Sequence, residues 1–179
     1  MINLKLTRML HKIALIYTWL VRTLLIWLPD QPAIMRFRGW LYGFMMAGCG
    51  TNFQVSASVV LRCLENISVG RDVYLAPGVV LNASGPINLH DEVMVGFNSL
   101  LVSGNHSARN RSFRFGAPVL GEIKIGYGSW IAGNCTVLAG ANMGTCCVLA
   151  ANSVCSKKVA DFLIFGGVPA KLIGSVEMR

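Results

Sequence analysis

Residues 125–155 read IGYGSWIAGNCTVLAGANMGTCCVLAANSVC, and this stretch decides the fold. An apolar residue recurs there every six positions, at Ile125, Ile131, Val137, Met143, Leu149 and Cys155. A helix repeats about every 3.6 residues, so a period of six does not fit one. Short flat strands joined by corners do have this period, as in a parallel β-helix built from hexapeptides. Each coil of such a solenoid buries its inward residues against the next coil. The stretch therefore predicts a mainly β fold of stacked coils.

The same period runs upstream with regular interruptions. Steps of eight residues separate Leu61 from Val69 and Leu81 from Leu89, and a step of twenty-four separates Leu101 from Ile125. These steps begin at positions 61, 81 and 101, so they recur every twenty residues, the length of three hexapeptides plus two. We predict that the insertions lie at one corner of successive coils. The longest, 102–122, is expected to project as an arm.

Composition and charge divide the chain into three parts. We predict an N-terminal apolar and basic helical segment at 1–47, a β-helix domain at 48–174 and a C-terminal tail at 175–179. The formal net charge is +8, and basic residues are frequent in the first fifty positions and in the arm. Basic stretches bind nucleic acid, membrane phosphates or anionic substrates. The chain has no module that combines stacking aromatic residues with basic ones, so we expect no nucleic-acid partner.

The six cysteines are expected to be free thiols rather than disulfides or metal ligands. Cys135, Cys147 and Cys155 fall on inward positions of the repeat, where a small apolar side chain fits. No CxxC pair is present. This usage favours the reducing cytoplasm.

The N-terminal segment has the pattern of a helix that lies at a membrane surface. Residues 9–28 are strongly apolar, but Lys12 and Arg22 interrupt them, so the uninterrupted runs are short for a bilayer span. No small-residue cleavage signature precedes Pro29, which argues against a signal peptide. Basic Lys5, Arg8 and Lys12 together with aromatic residues favour peripheral association with the inner face of the cytoplasmic membrane. The alternative is a helix packed on the β-helix or on a neighbouring subunit. The apolar stretch 37–46 is expected to cap the first coil.

His106 is the strongest candidate for acid–base chemistry. It lies in Ser103-Gly104-Asn105-His106, where the regular coil opens into the arm, and long loops in compact solenoids are usually functional. A histidine held there suits proton abstraction from a hydroxyl. The other histidines are His11, in the N-terminal helix, and His90, at a corner with an expected structural role. Two histidines in the coils are too few for a three-histidine zinc hydrase, and we predict no metal site.

Four segments resemble the hexapeptide-repeat acetyltransferases. They are 104–106 (GNH), 125–132 (IGYGSWIA), 149–154 (LAANSV) and 166–173 (GGVPAKLI), and the similarity spans roughly residues 48–174. The maltose, galactoside and surface-polysaccharide O-acetyltransferases are the most similar subgroup. The resemblance implies a left-handed parallel β-helix, acetyl-CoA as co-substrate, and homotrimers with active sites between subunits.

The resemblance also assigns roles to single residues. His106 matches the general base that takes the proton from the acceptor hydroxyl. Backbone amides near Ala132 and Gly133 match donors to the developing oxyanion. Trp130 matches a tryptophan that lines the cofactor and acceptor pocket, and Ala151 a position whose backbone contacts the pantetheine arm. The positions that meet the CoA phosphates are matched by Ser156, Lys157 and Lys171.

Three departures from the family pattern bear on the acceptor. Ala76 replaces an asparagine that holds the acceptor in maltose and galactoside acetyltransferases, and Gly133 replaces a serine found in some of them. The N-terminal domain motif of those enzymes is absent. A lipid-linked sugar or a surface-polysaccharide precursor therefore suits this chain better than a free sugar. The alternatives are acetylation of an antibiotic or small metabolite, and a non-catalytic β-helix scaffold.

Overall fold

Two helices precede a solenoid of six coils. The computed structural model describes the backbone of residues 4–177 and the side chains of residues 9–177. The basic side chains of Lys5 and Arg8 lie outside this described part. Helix α1 runs from Leu4 to Leu25 and helix α2 from Pro32 to Gly43. Gln31 caps α2, because its side-chain carbonyl accepts from the amides of Ala33 and Ile34.

Each full coil contributes three short strands. The first three coils are β1 (Gly48–Cys49), β2 (Gln54–Val55), β3 (Val60–Arg62); β4 (Ile67–Val69), β5 (Tyr74–Leu75), β6 (Val80–Asn82); and β7 (Ile87–Leu89), β8 (Met94–Val95), β9 (Leu100–Val102). The arm carries β10 (Gly104–His106) and β11 (Pro118–Leu120). The remaining coils are β12 (Ile123–Ile125), β13 (Trp130–Ile131), β14 (Thr136–Leu138); β15 (Asn142–Met143), β16 (Val148–Leu149), β17 (Val154–Cys155); and β18 (Lys158–Val159), β19 (Leu163–Gly166), followed by β20 (Lys171–Ser175).

The strands stack into three parallel sheets that form the sides of a prism. Sheet A has the order β1-β4-β7-β12-β15-β18, sheet B begins β2-β5-β8-β13-β16-β19, and sheet C is β3-β6-β9-β14-β17. Strand β20 closes sheet B by pairing antiparallel to β19. The middle residues of sheet C stack in register, so that Leu61, Leu81, Leu101 and Val137 form one buried column. The mainly β fold of stacked hexapeptide coils is confirmed.

The corner between sheets B and C is repeated almost unchanged from coil to coil. Asn98, Asn134 and Asn152 occupy the left-handed region there, with φ of 56°, 56° and 59°. This conformation costs most side chains about 1–2 kcal/mol, and asparagine tolerates it better than most. These asparagines mark the corner in the third to fifth coils, and Gly78, with φ of 77°, occupies the same position in the second coil.

The corner between sheets C and A holds the insertions. The first is a 3₁₀ turn at Leu64–Asn66, and the second includes Ser84 and Gly85 between β6 and β7. The longest forms the arm between β9 and β12, in which β10 and β11 pair antiparallel. The arm ends in a tight turn in which Arg109 and Ser112 exchange backbone hydrogen bonds of 2.9 and 3.0 Å.

The helices close the first coil. A Cβ on Gly39 of α2 would lie 1.9 Å from the Phe53 carbonyl oxygen, so only glycine permits this close approach. Arg38 is buried and links both helices to the coil, since it donates to the Asp30 carboxylate at 2.7 Å and to the Val55 carbonyl at 3.3 Å. Thr18 of α1 donates to the Leu61 carbonyl at 2.9 Å.

Helix α1 is apolar on two opposite sides. Its inner side packs on the solenoid through residues such as Ala14 and Val21, which are buried. Its outer side carries an exposed stripe of Met9, Ile13, Ile16, Leu20, Leu24 and, just beyond the helix, Trp27. These positions follow the three- and four-residue spacing of one helix face. Among the described residues no helix has the length and hydropathy needed to cross a bilayer.

The inward cysteines are buried thiols, as predicted. Cys135, Cys147 and Cys155 are each at most 2% exposed, and all six cysteines are free. Burial raises the pKa of each of these three thiols, which keeps them protonated and unreactive.

Candidate functional site

His106 ends β10, at the root of the arm on the edge between sheets C and A. It pairs directly with Pro118 of β11, and its side chain is exposed. The next residue fixes the pair, because the Ser107 amide and hydroxyl both donate to the Ala117 carbonyl, at 3.1 and 2.7 Å. The imidazole therefore stands on a hydrogen-bonded hairpin rather than on a loose loop.

Trp130 lies on the outer side of sheet B in a shallow groove of about 160 Å³. The groove brings together three positions that the sequence singled out, Ala76, Trp130 and Gly133. Its other lining residues are Tyr74, Met94, Val95, Gly96 and Phe97. The walls are mostly apolar and aromatic, which suits an uncharged chain such as pantetheine better than a polar sugar.

The two amides expected at the oxyanion differ in availability. The Ala132 amide donates to the Leu149 carbonyl at 2.9 Å and so belongs to the ladder between coils. Within the described part of the chain the Gly133 amide has no backbone acceptor. A Cβ on Gly133 would meet only the Phe97 carbonyl oxygen, at 3.5 Å, so this corner is open to a ligand. Of these two amides, that of Gly133 is therefore the one left without a backbone acceptor in the described part of the chain.

The predicted CoA-phosphate residues lie in the last coil. Ser156 and Lys157 follow β17 at the edge between sheets C and A, while Lys171 begins β20. The Ala170 amide donates to the Val154 carbonyl at 2.8 Å, which places Lys171 near the start of β17. Both lysines are exposed. Ala151 lies at the corner between sheets B and C, in the coil after Gly133, and is exposed as well.

Within one chain, His106 and the Trp130 groove lie on different edges of sheet C. Gly133 precedes β14 at the edge between sheets B and C, whereas the arm leaves β9 at the edge between C and A. The six residues from 134 to 139 cross the sheet, and five steps of about 3.3 Å place its ends roughly 16 Å apart. A single chain therefore does not place the base next to the groove.

A second groove lies beside the arm and was not found from the sequence. It measures about 660 Å³ and is lined by His11, Lys12, Arg62, Cys63, Glu65, Asn66, Asn82, Ser84, Pro118 and Leu120. The spacing held a signal for it, because Arg62 and Asn82 are twenty residues apart and so occupy the same corner of successive coils.

The acidic group of this arm groove is already paired. Nδ1 of His11 lies 2.6 Å from Oε1 of Glu65, and this contact ties α1 to the first insertion. Burial and the Glu65 carboxylate raise the pKa of the Cys63 thiol. Within residues 9–177, His11, Cys63 and Glu65 form the one group whose possible metal-ligating atoms lie within 4.8 Å of one another. Nδ1 of His11 engages Oε1 of Glu65, whereas Oε2 of Glu65 is buried and has no hydrogen-bond partner among the described residues.

Curated relatives match most of the chain. It is 24% identical over 150 residues to the galactoside O-acetyltransferase of Escherichia coli K12, covering 84% of this chain and 74% of that protein. It is 29% identical over 122 residues to an E. coli K12 protein provisionally described as a lipopolysaccharide biosynthesis O-acetyl transferase, covering 68% and 57%. No protein-family model matches the sequence.

Solved structures share the fold. A maltose O-acetyltransferase from Clostridium difficile 630 matches with a TM-score of 0.82 at 21% identity, covering 98% of this chain and 90% of that one. A hexapeptide-repeat acetyltransferase from Vibrio cholerae, complexed with acetyl-CoA, matches with a TM-score of 0.81 at 24% identity, covering 96% and 89%. The comparisons confirm the predicted resemblance to the hexapeptide-repeat acetyltransferases and the acyltransferase class of the enzyme.

Proposed function

We propose that this protein is an acetyl-CoA-dependent O-acetyltransferase that acetylates a hydroxyl of a surface-polysaccharide or lipid-linked saccharide precursor. The observation that carries the proposal is the position of His106, an exposed imidazole on the hydrogen-bonded root of the arm. The relatives named O-acetyltransferases, and the neighbouring structure complexed with acetyl-CoA, support the reaction class and the co-substrate.

His106 acts as the general base in this reaction. Its imidazole takes the proton of the acceptor hydroxyl, and the oxygen attacks the thioester carbonyl of acetyl-CoA. The Gly133 amide donates to the oxyanion of the tetrahedral intermediate, where a preorganised donor stabilises developing charge. The carbon–sulfur bond then breaks, and the imidazolium returns the proton to the CoA thiolate. The products are the acetyl ester and CoA, and His106 is again neutral.

A homotrimer would bring the base and the groove together. The outward residues of sheet A are polar, namely Ser68, Asn88, Lys124, Asn142 and Lys158. Those of sheet B include Tyr74, Met94, Trp130, Val148 and Ile164, and those of sheet C include Val60, Val80, Leu100 and Val154. Two adjacent apolar sides suit a ring in which sheet B of each subunit meets sheet C of the next. His106 of one subunit then reaches the Trp130 groove of its neighbour.

The N-terminal helix supports a membrane-associated acceptor. The exposed stripe of α1 is a large apolar surface, and basic Lys12 and Arg22 lie on the same helix. Apolar burial combined with attraction to anionic headgroups holds a helix in the plane of the bilayer surface. We place the enzyme in the cytoplasm, peripherally bound to the inner face of the cytoplasmic membrane.

The activity is tested by release of CoA from acetyl-CoA against a panel of acceptors. The panel includes free maltose and galactosides, saccharides linked to membrane lipids, polysaccharide fragments, and hydroxyl-bearing antibiotics. Lipid-linked saccharides or polysaccharide fragments should give the highest kcat/KM. Turnover restricted to antibiotics or small metabolites would replace the proposed acceptor, and no turnover with any acceptor would contradict the enzyme function.

Membrane association is tested by co-sedimentation with anionic vesicles. The wild type should bind at low salt and less tightly at high salt, because ions screen the headgroup attraction. Ile16→Asp combined with Leu24→Asp should abolish binding, since both side chains are exposed and neither packs on the solenoid. Val119→Asp, at an exposed apolar site in the arm, should bind like the wild type. Wild-type protein that stays in the supernatant at low salt would exclude the membrane role.

A further inference from the structure

We infer that the acceptor carries a phosphate group, and that Lys12 and Arg62 bind this phosphate in the arm groove. The inference rests on the proposed function, which it deepens by naming the chemical class of the acceptor. It is carried by the position of the groove relative to His106, by the charges in the groove, and by its remaining lining.

The arm groove lies on the side of the hairpin that His106 faces. His106 pairs with Pro118 and Gly104 with Leu120, and residues paired directly across an antiparallel ladder project on one side of it. Pro118 and Leu120 line the groove. A ligand in the groove therefore lies on the same side of the hairpin as the imidazole. The reacting hydroxyl and the phosphate would then belong to one molecule that extends along the hairpin.

The positive charges of the groove have no partner in the described part of the protein. Lys12 and Arg62 are exposed, and within residues 9–177 no carboxylate lies within ion-pairing distance of either one. Within residues 9–177, Glu65 is the only acidic residue in the lining; its Oε1 is engaged by His11, and its Oε2 is buried away from solvent without a hydrogen-bond partner. An unpaired arginine and lysine at one site are suited to phosphate, which the guanidinium contacts through two parallel hydrogen bonds.

The cationic region continues past Arg62. A smaller groove of about 200 Å³ lies between α1 and β3 and is lined by Arg62, Arg22 and Trp19, among other residues. Arg62 thus stands between the two grooves, with Lys12 on one side and Arg22 on the other. A diphosphate has room to contact Arg62 and one of these neighbours at once. Salt should weaken its binding, because the contacts are exposed.

The rest of the lining suits a saccharide. The Asn82 amide and the Ser84 hydroxyl offer hydrogen bonds to sugar hydroxyls, while Pro118 and Leu120 form an apolar wall for the face of the ring. The Asn66 side-chain amide is already hydrogen-bonded within the protein, because it donates to the Ala83 carbonyl at 2.9 Å. The same chemistry fits a soluble sugar phosphate and a saccharide diphosphate on a membrane lipid. Helix α1 lines the groove through Lys12 and carries the exposed apolar stripe on its outer side, which favours the lipid-linked form.

Paired acceptors test the inference directly. Transfer from acetyl-CoA is measured for methyl glucoside, methyl galactoside and N-acetylglucosamine, for the 1-phosphate of each parent sugar, and for lipid-diphosphate-linked N-acetylglucosamine in vesicles. We expect the phosphorylated member of a pair to have a KM at least about tenfold lower.

Lys12→Gln and Arg62→Gln should each raise the KM of the phosphorylated acceptor by about tenfold. Both variants should leave kcat, the KM of the neutral sugar and the KM of acetyl-CoA unchanged. Arg62→Lys should restore part of the loss, and Lys124→Gln on sheet A is the matched control.

Binding of inorganic diphosphate separates this inference from the proposed function. Calorimetry with CoA at saturation, which blocks the cofactor site, should show diphosphate binding that Lys12→Gln combined with Arg62→Gln removes. Such binding without any transfer would overturn the acetyltransferase and leave the phosphate site standing. Transfer with equal KM for neutral and phosphorylated sugars, or diphosphate binding unchanged in the double variant, would overturn the phosphate site. A higher kcat/KM for the vesicle-bound acceptor than for the soluble sugar phosphates identifies the lipid-linked source, and the reverse identifies the soluble one.

Discussion

The two edges of sheet C are built on opposite plans. At the edge between sheets B and C the second to fifth coils turn in nearly the same way, with Gly78, Asn98, Asn134 and Asn152 in the left-handed region. At the edge between sheets C and A each of the first three coils carries an insertion, and these insertions differ in length and shape.

Under the proposed function, this difference separates the sites of two ligands on one solenoid. The regular edge adjoins the apolar Trp130 groove and the Gly133 amide, which suit the proposed co-substrate acetyl-CoA. The irregular edge carries His106 and the arm groove, whose charges suit one particular acceptor. Insertions at a corner leave the stacked strands intact, so this edge can change its chemistry without disturbing the core.

The largest effect is expected from removing the base at the irregular edge. His106→Ala should lower kcat by roughly 10²–10⁴-fold, the usual contribution of a positioned general base, with little effect on unfolding because the side chain is exposed. Steady-state acetyl transfer and thermal unfolding measure the two quantities. His90→Ala, at a corner on the other side of the prism, is the control and should keep its activity. A well-folded His106→Ala enzyme with near-normal turnover would remove this residue from the mechanism.

Mixed trimers test whether the two edges belong to neighbouring subunits. His106→Ala lacks the base, and Gly133→Leu fills the open corner where the thioester must approach, so each homotrimer should be inactive. In a trimer that contains both variants, one of the three interfaces joins an intact base to an intact groove. Co-expression with two affinity tags and tandem purification should therefore recover roughly a third of wild-type activity. No recovery would mean that each site is built from a single chain, or that the assembly is not this ring.

The coils were predictable from the sequence because their constraint is local. Every inward position must hold an apolar or small residue, and these positions recur every six residues. The pattern from Ile125 to Cys155 therefore predicted the strands. The twenty-residue recurrence likewise located the insertions at one edge. These features depend on single positions rather than on which distant residues meet.

The candidate site was predictable only in part, because its geometry depends on distant pairings. The motifs predicted His106 and Gly133 as site residues. They could not show that the Ala132 amide already donates a hydrogen bond to the Leu149 carbonyl. The arm groove forms where α1, two insertions and β11 meet; the twenty-residue spacing of Arg62 and Asn82 indicates only that these two residues share a corner. That no carboxylate within residues 9–177 pairs with Arg62 depends on the same long-range packing.

A smaller effect is expected from the lysines of the last coil. Lys157→Gln and Lys171→Gln should each raise the KM of acetyl-CoA several-fold, with kcat and the acceptor KM nearly unchanged, which is the pattern of lost uniform binding. Initial-rate kinetics with each substrate varied in turn provide the measurement. Lys124→Gln on sheet A is the control for the loss of one surface charge. If neither lysine variant alters the KM of acetyl-CoA, the phosphates of the cofactor bind elsewhere.

The smallest effect is expected from the same asparagine-to-valine substitution, made once at each of the two edges of sheet C. Asn134 and Asn110 both occupy the left-handed region, with φ of 56° and 50°, but Asn134 turns a coil and Asn110 lies at the exposed tip of the arm. Valine is more strained than asparagine in this conformation, by about 1–2 kcal/mol, because its β-branched side chain crowds the backbone and cannot form the local hydrogen bonds that asparagine forms. At position 134 the chain cannot relax, since the Asn134 amide donates to the Phe97 carbonyl at 2.8 Å within the stack of coils.

Asn134→Val should therefore lower the midpoint of thermal unfolding by a few degrees, whereas Asn134→Gly should preserve it. Asn110→Val should leave the midpoint unchanged, because the tip can rearrange without opening a coil. Equal losses at both positions would show that the arm is as tightly constrained as the coils, and that the irregular edge does not tolerate changes as proposed.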